Sequence, residues 1–419
     1  MSVMEKDLTT FGKVEAAEKG DLKSHRLSSM ETIGIIVGTN IGAGIMGMAY
    51  AARNAGFLPL LVCLAIACIF CIITMLYVAE ASLRTQGNKQ LSGLSKRYLG
   101  PIGGWLIFLA VAANSYGALV AYMTGSGNIM TEFFGSYGMT RELGSLLFFI
   151  PSVLVLYLGL KALGAGERLV SSGMVVLVLV LIGATLVHQN TELNHLWQTQ
   201  WQYMVPVFNL AVFVFGAQFL VPELVRGNRT TAHKLPRLII IGMVITFVLV
   251  AAVPASVITL VGQENLTEVA TLSWGSSLGS WAYYVANTFA LMAMLTSYWG
   301  LGGCLFTNMF DHFRLGDGTN KIRRAMVLAA VSIPPFILAY SGIGSFVNAL
   351  YFAGTFGGVL MGIIPILLLR VSRRHGDKQP EFVCGWYAHP LIQAVIIFIF
   401  ASSGVYAIAS VLGLLPSSW

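Results

Sequence analysis

The sequence predicts an all-α integral membrane protein of eleven transmembrane helices, built as a 5+5 inverted repeat with broken helices 1 and 6, plus one extra helix. Three observations lead there. Apolar residues make up 56% of the 419 residues and charged ones only 10%, where soluble proteins carry about 25% charged residues. Apolar blocks of roughly 20 residues, enough to cross a bilayer as a helix, recur along most of the chain. The cations fall in alternate connections between those blocks, as they do when basic loops stay on the cytoplasmic side. That asymmetry accounts for the formal charge of +7 without a nucleic-acid partner.

Residues 1–29 are polar and mixed in charge, and lack the short apolar core and cleavage site of a signal peptide. They read as a cytosolic tail. The spans that follow cover approximately 30–56, 57–83, 103–130, 144–162, 167–188, 205–225, 235–262, 281–312, 323–341, 344–370 and 388–414. Pro59 supports a helix start for the second. With the tail inside, all but Arg53 and Arg141 of the 25 Lys and Arg residues lie inside. One span more or fewer would scramble that partition, so the amino terminus is placed in the cytoplasm and the carboxy terminus outside. Helices 1–5 (30–188) then form one repeat and helices 6–10 (205–370) a second, with 388–414 as the extra helix. Five is odd, so the second repeat is inverted relative to the first, an arrangement that builds many secondary transporters. Cys63, Cys68, Cys71, Cys304 and Cys384 show no disulfide or metal spacing and read as small core residues.

The middle of the first span runs Gly38-Thr39-Asn40-Ile41-Gly42-Ala43-Gly44, with Gly47 just beyond. An unpaired amide in lipid costs several kcal/mol, so a broken helix survives there only under cover of protein or a watery cavity. Two readings stand: a packing face at Gly38 and Gly42, or a break at a binding site. The sixth span is the first one's partner in the repeat. Gly216, Gln218 and Pro222 interrupt it too, which favours the second reading.

Two breaks meeting at the midplane offer amides to an anion and carbonyls to a cation, which suits the two charges of an amino acid zwitterion. The third span adds Asn114, Ser115, Tyr116 and Tyr122, spaced so that several share one face, with Tyr116 as the candidate substrate contact. In the eighth, Thr296 and Ser297 follow Ala293. Their hydroxyls either bond their own helix carbonyls or join backbone oxygens around a small hard cation such as Na+. The seven histidines all fall in tails, loops or span ends, which favours Na+ over H+. Glu80, Glu223 and Asp311 at the cytoplasmic ends, and Arg53 at the outer end, read as gates, loop anchors or solvated charges. No catalytic constellation lies at membrane depth and no GxxxxGK[ST] is present, which argues against an enzyme or a nucleotide-driven pump.

Gly38-x-x-Ile41-Gly42-x-Gly44-Ile45 and Ala293-x-x-Thr296-Ser297 resemble the first- and eighth-span motifs of the amino acid-polyamine-organocation superfamily, with its leucine-transporter-like fold. Phe215-Gly216-x-x-x-x-Val221-Pro222 and the run from Leu295 to Gly303 are similar to the bacterial aromatic and hydroxy amino acid permeases. The resemblance covers nearly the whole chain. It implies that Gly42, Ala43 and Gly44 present amides to a substrate carboxylate, and that Phe215, Gly216 and Ala217 line its amine and side-chain end. It further implies a Na+ site of Gly38, Ile41 and Ala293 carbonyls with the Thr296 and Ser297 hydroxyls. Gln218, also a candidate substrate contact, stands where those permeases often carry histidine, and Phe219 where they carry glycine. Those permeases are generally proton symporters, so both coupling ions stay open. The expected function is ion-coupled symport of a neutral, apolar or aromatic amino acid across a bacterial inner membrane. Alternating access would swing helices 1, 2, 6 and 7 against 3, 4, 8 and 9, with no cofactor; the partners are the amino acid substrate and the lipid bilayer, with no nucleic acid and the oligomeric state open. A non-transporting sensor or a channel of the same fold is the alternative.

Overall fold

Residues 27–42, 44–87, 89–158, 163–315 and 320–415 are described in this computed structural model. They form helices and turns, with no strand among the described residues. A reciprocal cap opens the first helix: Ser28 N donates to Glu31 Oε2 at 2.8 Å, and Glu31 N to Ser28 Oγ at 3.2 Å. Helices α1 (Ser29–Asn40) and α2 (Gly44–Ala55) are bent by 48° where they meet. Next come α3 (Phe57–Leu83), α4 (Leu91–Phe134), α5 (Arg141–Leu158) and α6 (Leu163–Leu186). The sixth expected span is α7 (Met204–Val214) and α8 (Val221–Gly227), with residues 215–220 between them. The chain continues through α9 (Leu235–Val261), α10 (Ala270–Leu278), α11 (Ser280–Phe313), α12 (Lys321–Tyr340), α13 (Phe346–Phe352), α14 (Val359–His375) and α15 (Pro390–Val411).

Among the described residues, eight helical stretches are long and apolar enough to cross a membrane, or nine if the bent α1–α2 pair is one span. The chain is thus an all-helical multi-pass membrane bundle. The eleven expected spans exceed that number at 144–162 and 167–188. There α5 has 18 residues, and the stretch Gly173–Leu186 of α6 is apolar but short. Residues 159–162 lie outside the described residues, as does the tail up to residue 26.

Local chemistry explains the interruptions. Gly100 (φ 71°) and Pro101 kink α4, which is why the apolar span reads as starting only at 103. Residues Ala353–Gly358, between α13 and α14, form a π-helical turn. Its glycines allow close approach: a Cβ on Gly354 would overlap the Asn209 carbonyl of α7, and one on Gly357 would stand 2.6 Å from Asn114 Cβ of α4.

Two packed groups emerge. Helices α4, α5, α11 and α12 contact one another, with α4 at the centre, and α9 packs with α1, α2 and α3 while α7 packs with α2 and α3. The π-turn touches both α4 and α7. At the end carrying the basic loops, Glu80 of α3 is wholly buried. It accepts from Arg84 Nε at 2.9 Å, from Arg373 Nε at 2.8 Å and Nη2 at 2.9 Å, and from Cys384 N at 2.7 Å. Of the roles open to it, Glu80 therefore takes that of loop anchor, fastening the segment after α14 to α3. Arg97 and Asp377 pair beside it.

Candidate functional site

The site grows out of the two breaks. Ile41 N bonds Val37 O at 2.8 Å, closing the last turn of α1, and Ile45 N bonds Gly42 O at 3.3 Å, starting α2. The first amides of α2 have no carbonyl one turn back within their own helix, so they form the positive end of a dipole. A Cβ on Gly44 would stand 3.1 Å from Phe213 Cε1 and 3.2 Å from Val214 Cγ2, so the two broken helices touch at this point. In the second break, Phe215 N bonds Ala211 O at 3.1 Å, Ala217 N bonds Phe215 O at 2.9 Å, and Gln218–Leu220 make one tight turn.

A cavity of about 140 Å³ lies where these breaks meet α4 and α11. Gly38, Gly42, Gly44, Gly216, Thr296 and Ser297 of the candidate residues line it. A Cβ on Gly42 would come within 2.7 Å of Ser297 Oγ, so that hydroxyl sits directly against the first break. Tyr122 of α4 lines the same cavity. Thr296 Oγ1 donates its hydrogen to Ala293 O of its own helix at 3.0 Å. Ile41 and Ala293 are buried next to the cavity-lining residues. Ala43 lies outside the described residues.

Four of the expected contacts are not among the cavity's lining residues. Tyr116 points away: its hydroxyl donates to Ala330 O of α12 at 2.7 Å, while Asn114 and Tyr122 of the same helix line the cavity. Residues two apart on a helix face directions about 200° apart, so Asn114 and Tyr116 cannot both face one cavity. Phe215, Ala217 and Gln218 are buried but are not among the cavity's lining residues. Gln218 Nε2 donates instead to Thr74 Oγ1 of α3 at 3.1 Å, tying the second break to its neighbour. The side-chain wall is made by Phe213, Phe219, Leu220 and Leu301.

A second cavity of about 360 Å³ shares Phe219, Leu220 and Gly300 with the first. It runs to Gln90, Glu223 and Asp311 at the end of the basic loops. Phe219 and Leu220 thus stand between the site and a polar mouth, where Glu223 Oε1 accepts from Gln90 Nε2 at 3.1 Å. Among the described residues no group of three or more His, Cys, Asp or Glu gathers as a metal would need.

Comparison with known proteins agrees with this geometry. A solved nucleobase-cation-symport-1 family transporter, in a closed conformation with bromovinylhydantoin bound, shares the fold with a TM-score of 0.64. It matches at 13% identity over 94% of this chain and 95% of its own. The tryptophan-specific transport protein of Pseudomonas aeruginosa is 24% identical over 401 residues, 90% of this chain and 93% of that one. The tryptophan-specific transport protein of Haemophilus influenzae is 26% identical over 393 residues, 87% and 92% of the two chains. The tryptophan/tyrosine permease family matches residues 25–405. The bent first helix, the interrupted sixth and the cavity between them all lie inside that match, and the chain belongs to the tryptophan/tyrosine permease family, a family of transporters and not of enzymes.

Proposed function

We propose that this protein is an ion-coupled secondary transporter that carries an aromatic amino acid by alternating access. The observation that carries the reading is the cavity at the two breaks. One end offers the α2 amides and the Ser297 and Tyr122 hydroxyls to a zwitterion, and Phe213, Phe219, Leu220 and Leu301 supply an apolar wall for a ring. Among the described residues no ionised side chain lines it, which suits a substrate that is neutral overall. The relatives' own tryptophan specificity supports the aromatic class.

The domain reading that supports this is eleven spans in two inverted repeats, with the amino terminus in the cytoplasm and the carboxy terminus outside. The second cavity is then the cytoplasmic exit, and the group of α4, α5, α11 and α12 is the scaffold. We assign the coupling cation to Gly38, Ile41, Ala293, Thr296 and Ser297. The Thr296–Ala293 bond engages the hydroxyl hydrogen and leaves lone pairs on both oxygens for a cation; a proton is the alternative coupling ion.

The test is uptake of labelled tryptophan and tyrosine into proteoliposomes, with Na+ and proton gradients imposed separately. Accumulation above equilibrium under one gradient supports symport and names the ion. Saturable binding without accumulation under either would make the protein a sensor, and non-saturating flux would make it a channel.

A further inference from the structure

Asn114 is 3% exposed and sits near the middle of a membrane span, where an amide without a partner is costly. It makes no hydrogen bond to any described residue. Its polar atoms are not sealed in the packing, and it lines the central cavity. Gly357 of the π-turn presses on it from behind: a Cβ there would meet Asn114 Cβ at 2.6 Å and its N at 2.9 Å. That backbone contact leaves the carboxamide little choice but the cavity.

We propose that Asn114 sets the selectivity of the site, by hydrogen bonding the polar edge of an aromatic side chain. This rests on the reading of the cavity as an aromatic amino acid site. Tyr122 lies eight residues further along α4, about 12 Å up the axis at 1.5 Å per residue. Its side chain leans back toward the helix start and lines the cavity together with Ser297, which abuts Gly42. The zwitterion end of the cavity is therefore the Gly42–Ser297–Tyr122 end, and Asn114 marks the other. An aromatic amino acid spans that reduced distance and brings its ring tip to Asn114. A carboxamide both donates and accepts, so it takes the indole N–H of tryptophan or the phenol O–H of tyrosine. Phenylalanine would leave the amide unpaired. Sites built to bond a substrate's N–H or O–H reject the analogue that lacks it far more strongly than apolar pockets reject a size change.

The experiment is uptake of labelled tryptophan, tyrosine and phenylalanine into proteoliposomes of wild type, Asn114→Leu and Asn114→Ala, read as ratios of kcat/KM. Wild type should prefer the two polar rings over phenylalanine. Both variants should lose about ten- to a hundredfold more on tryptophan and tyrosine than on phenylalanine. Equal losses on all three substrates would show a general packing role and overturn the assignment, as would unchanged ratios. A wild type that moves none of the three would overturn the aromatic reading itself, and this assignment with it. A wild type that discriminates alongside variants that discriminate equally would overturn only the assignment to Asn114.

Discussion

Gly42 leaves little room in the site, because a side chain there must enter the space held by Ser297 Oγ, 2.7 Å from the would-be Cβ. A serine hydroxyl can rotate away from a methyl but not from an isobutyl group. Gly42→Ala should therefore keep part of the uptake, whereas Gly42→Leu should lose substrate binding while still inserting in the membrane. Normal uptake by the leucine variant would refute the site. Tyr116→Phe should lose only its bond to Ala330 O, about 1 kcal/mol of stability, with no change in substrate KM; a raised KM would put Tyr116 back in the cavity. The choice between Tyr116 and Asn114 was not legible locally. Helix α4 packs against neighbours on nearly every side, so its polar residues form no single stripe that marks a wet face. Asn114 did carry a signal, an amide at mid-span, but only packing showed that none of the described residues satisfies it.

At the scale of elements, the breaks were legible and their partners were not. Glycines at 38, 42, 44 and 216 announce places where a helix can stop, since small or absent side chains let backbone groups meet a ligand or another helix. That Gln218 would turn to α3 depended on a contact 144 residues away in sequence. The two hydroxyls of α11 differ in the same way. Thr296 donates to Ala293 O, whereas Ser297 Oγ stands against Gly42. Ser297→Ala should therefore weaken ion dependence more than Thr296→Ala, and the double variant more than either. Unchanged Na+ and proton dependence in the double variant would remove the cation role from α11. The π-turn is equally constrained: Gly354→Ala drives a methyl into the Asn209 carbonyl and should lower Tm and transport together. A variant as stable and active as wild type would mean the turn relaxes freely.

Over the whole molecule, the arrangement gives two bodies of helices with a cavity between them and a polar mouth at one end. The Glu80 anchor ties α3 to the α14–α15 connection at that end. Removing its charge strands the two arginines, but Arg373 is 35% exposed. Glu80→Gln should accordingly cost about 2 kcal/mol, below the 3–5 of a fully buried pair, as a thermal unfolding scan would show; an unchanged midpoint would reduce the cluster to surface decoration. Cys304 gives a built-in reporter of the mouth. It lines the second cavity and is half-buried, while the other four cysteines are buried. A small thiol reagent should modify Cys304 first and substrate should alter the rate; modification elsewhere with Cys304 untouched would show the mouth closed.

Membrane class, helix order and the positions of both interruptions follow from hydropathy, charge and glycine placement, because those terms act locally and sum along the chain. Folding had to decide which side chains face the cavity. Asn114, Phe213 and Phe219 line it, while Tyr116 reaches Ala330 O of α12 and Gln218 Nε2 reaches Thr74 of α3. In a helix surrounded by other helices no solvent distinguishes one face from another. The face that becomes a binding site is set by the neighbours' shapes, such as the missing side chains of Gly354 and Gly357, and by nothing in the helix itself.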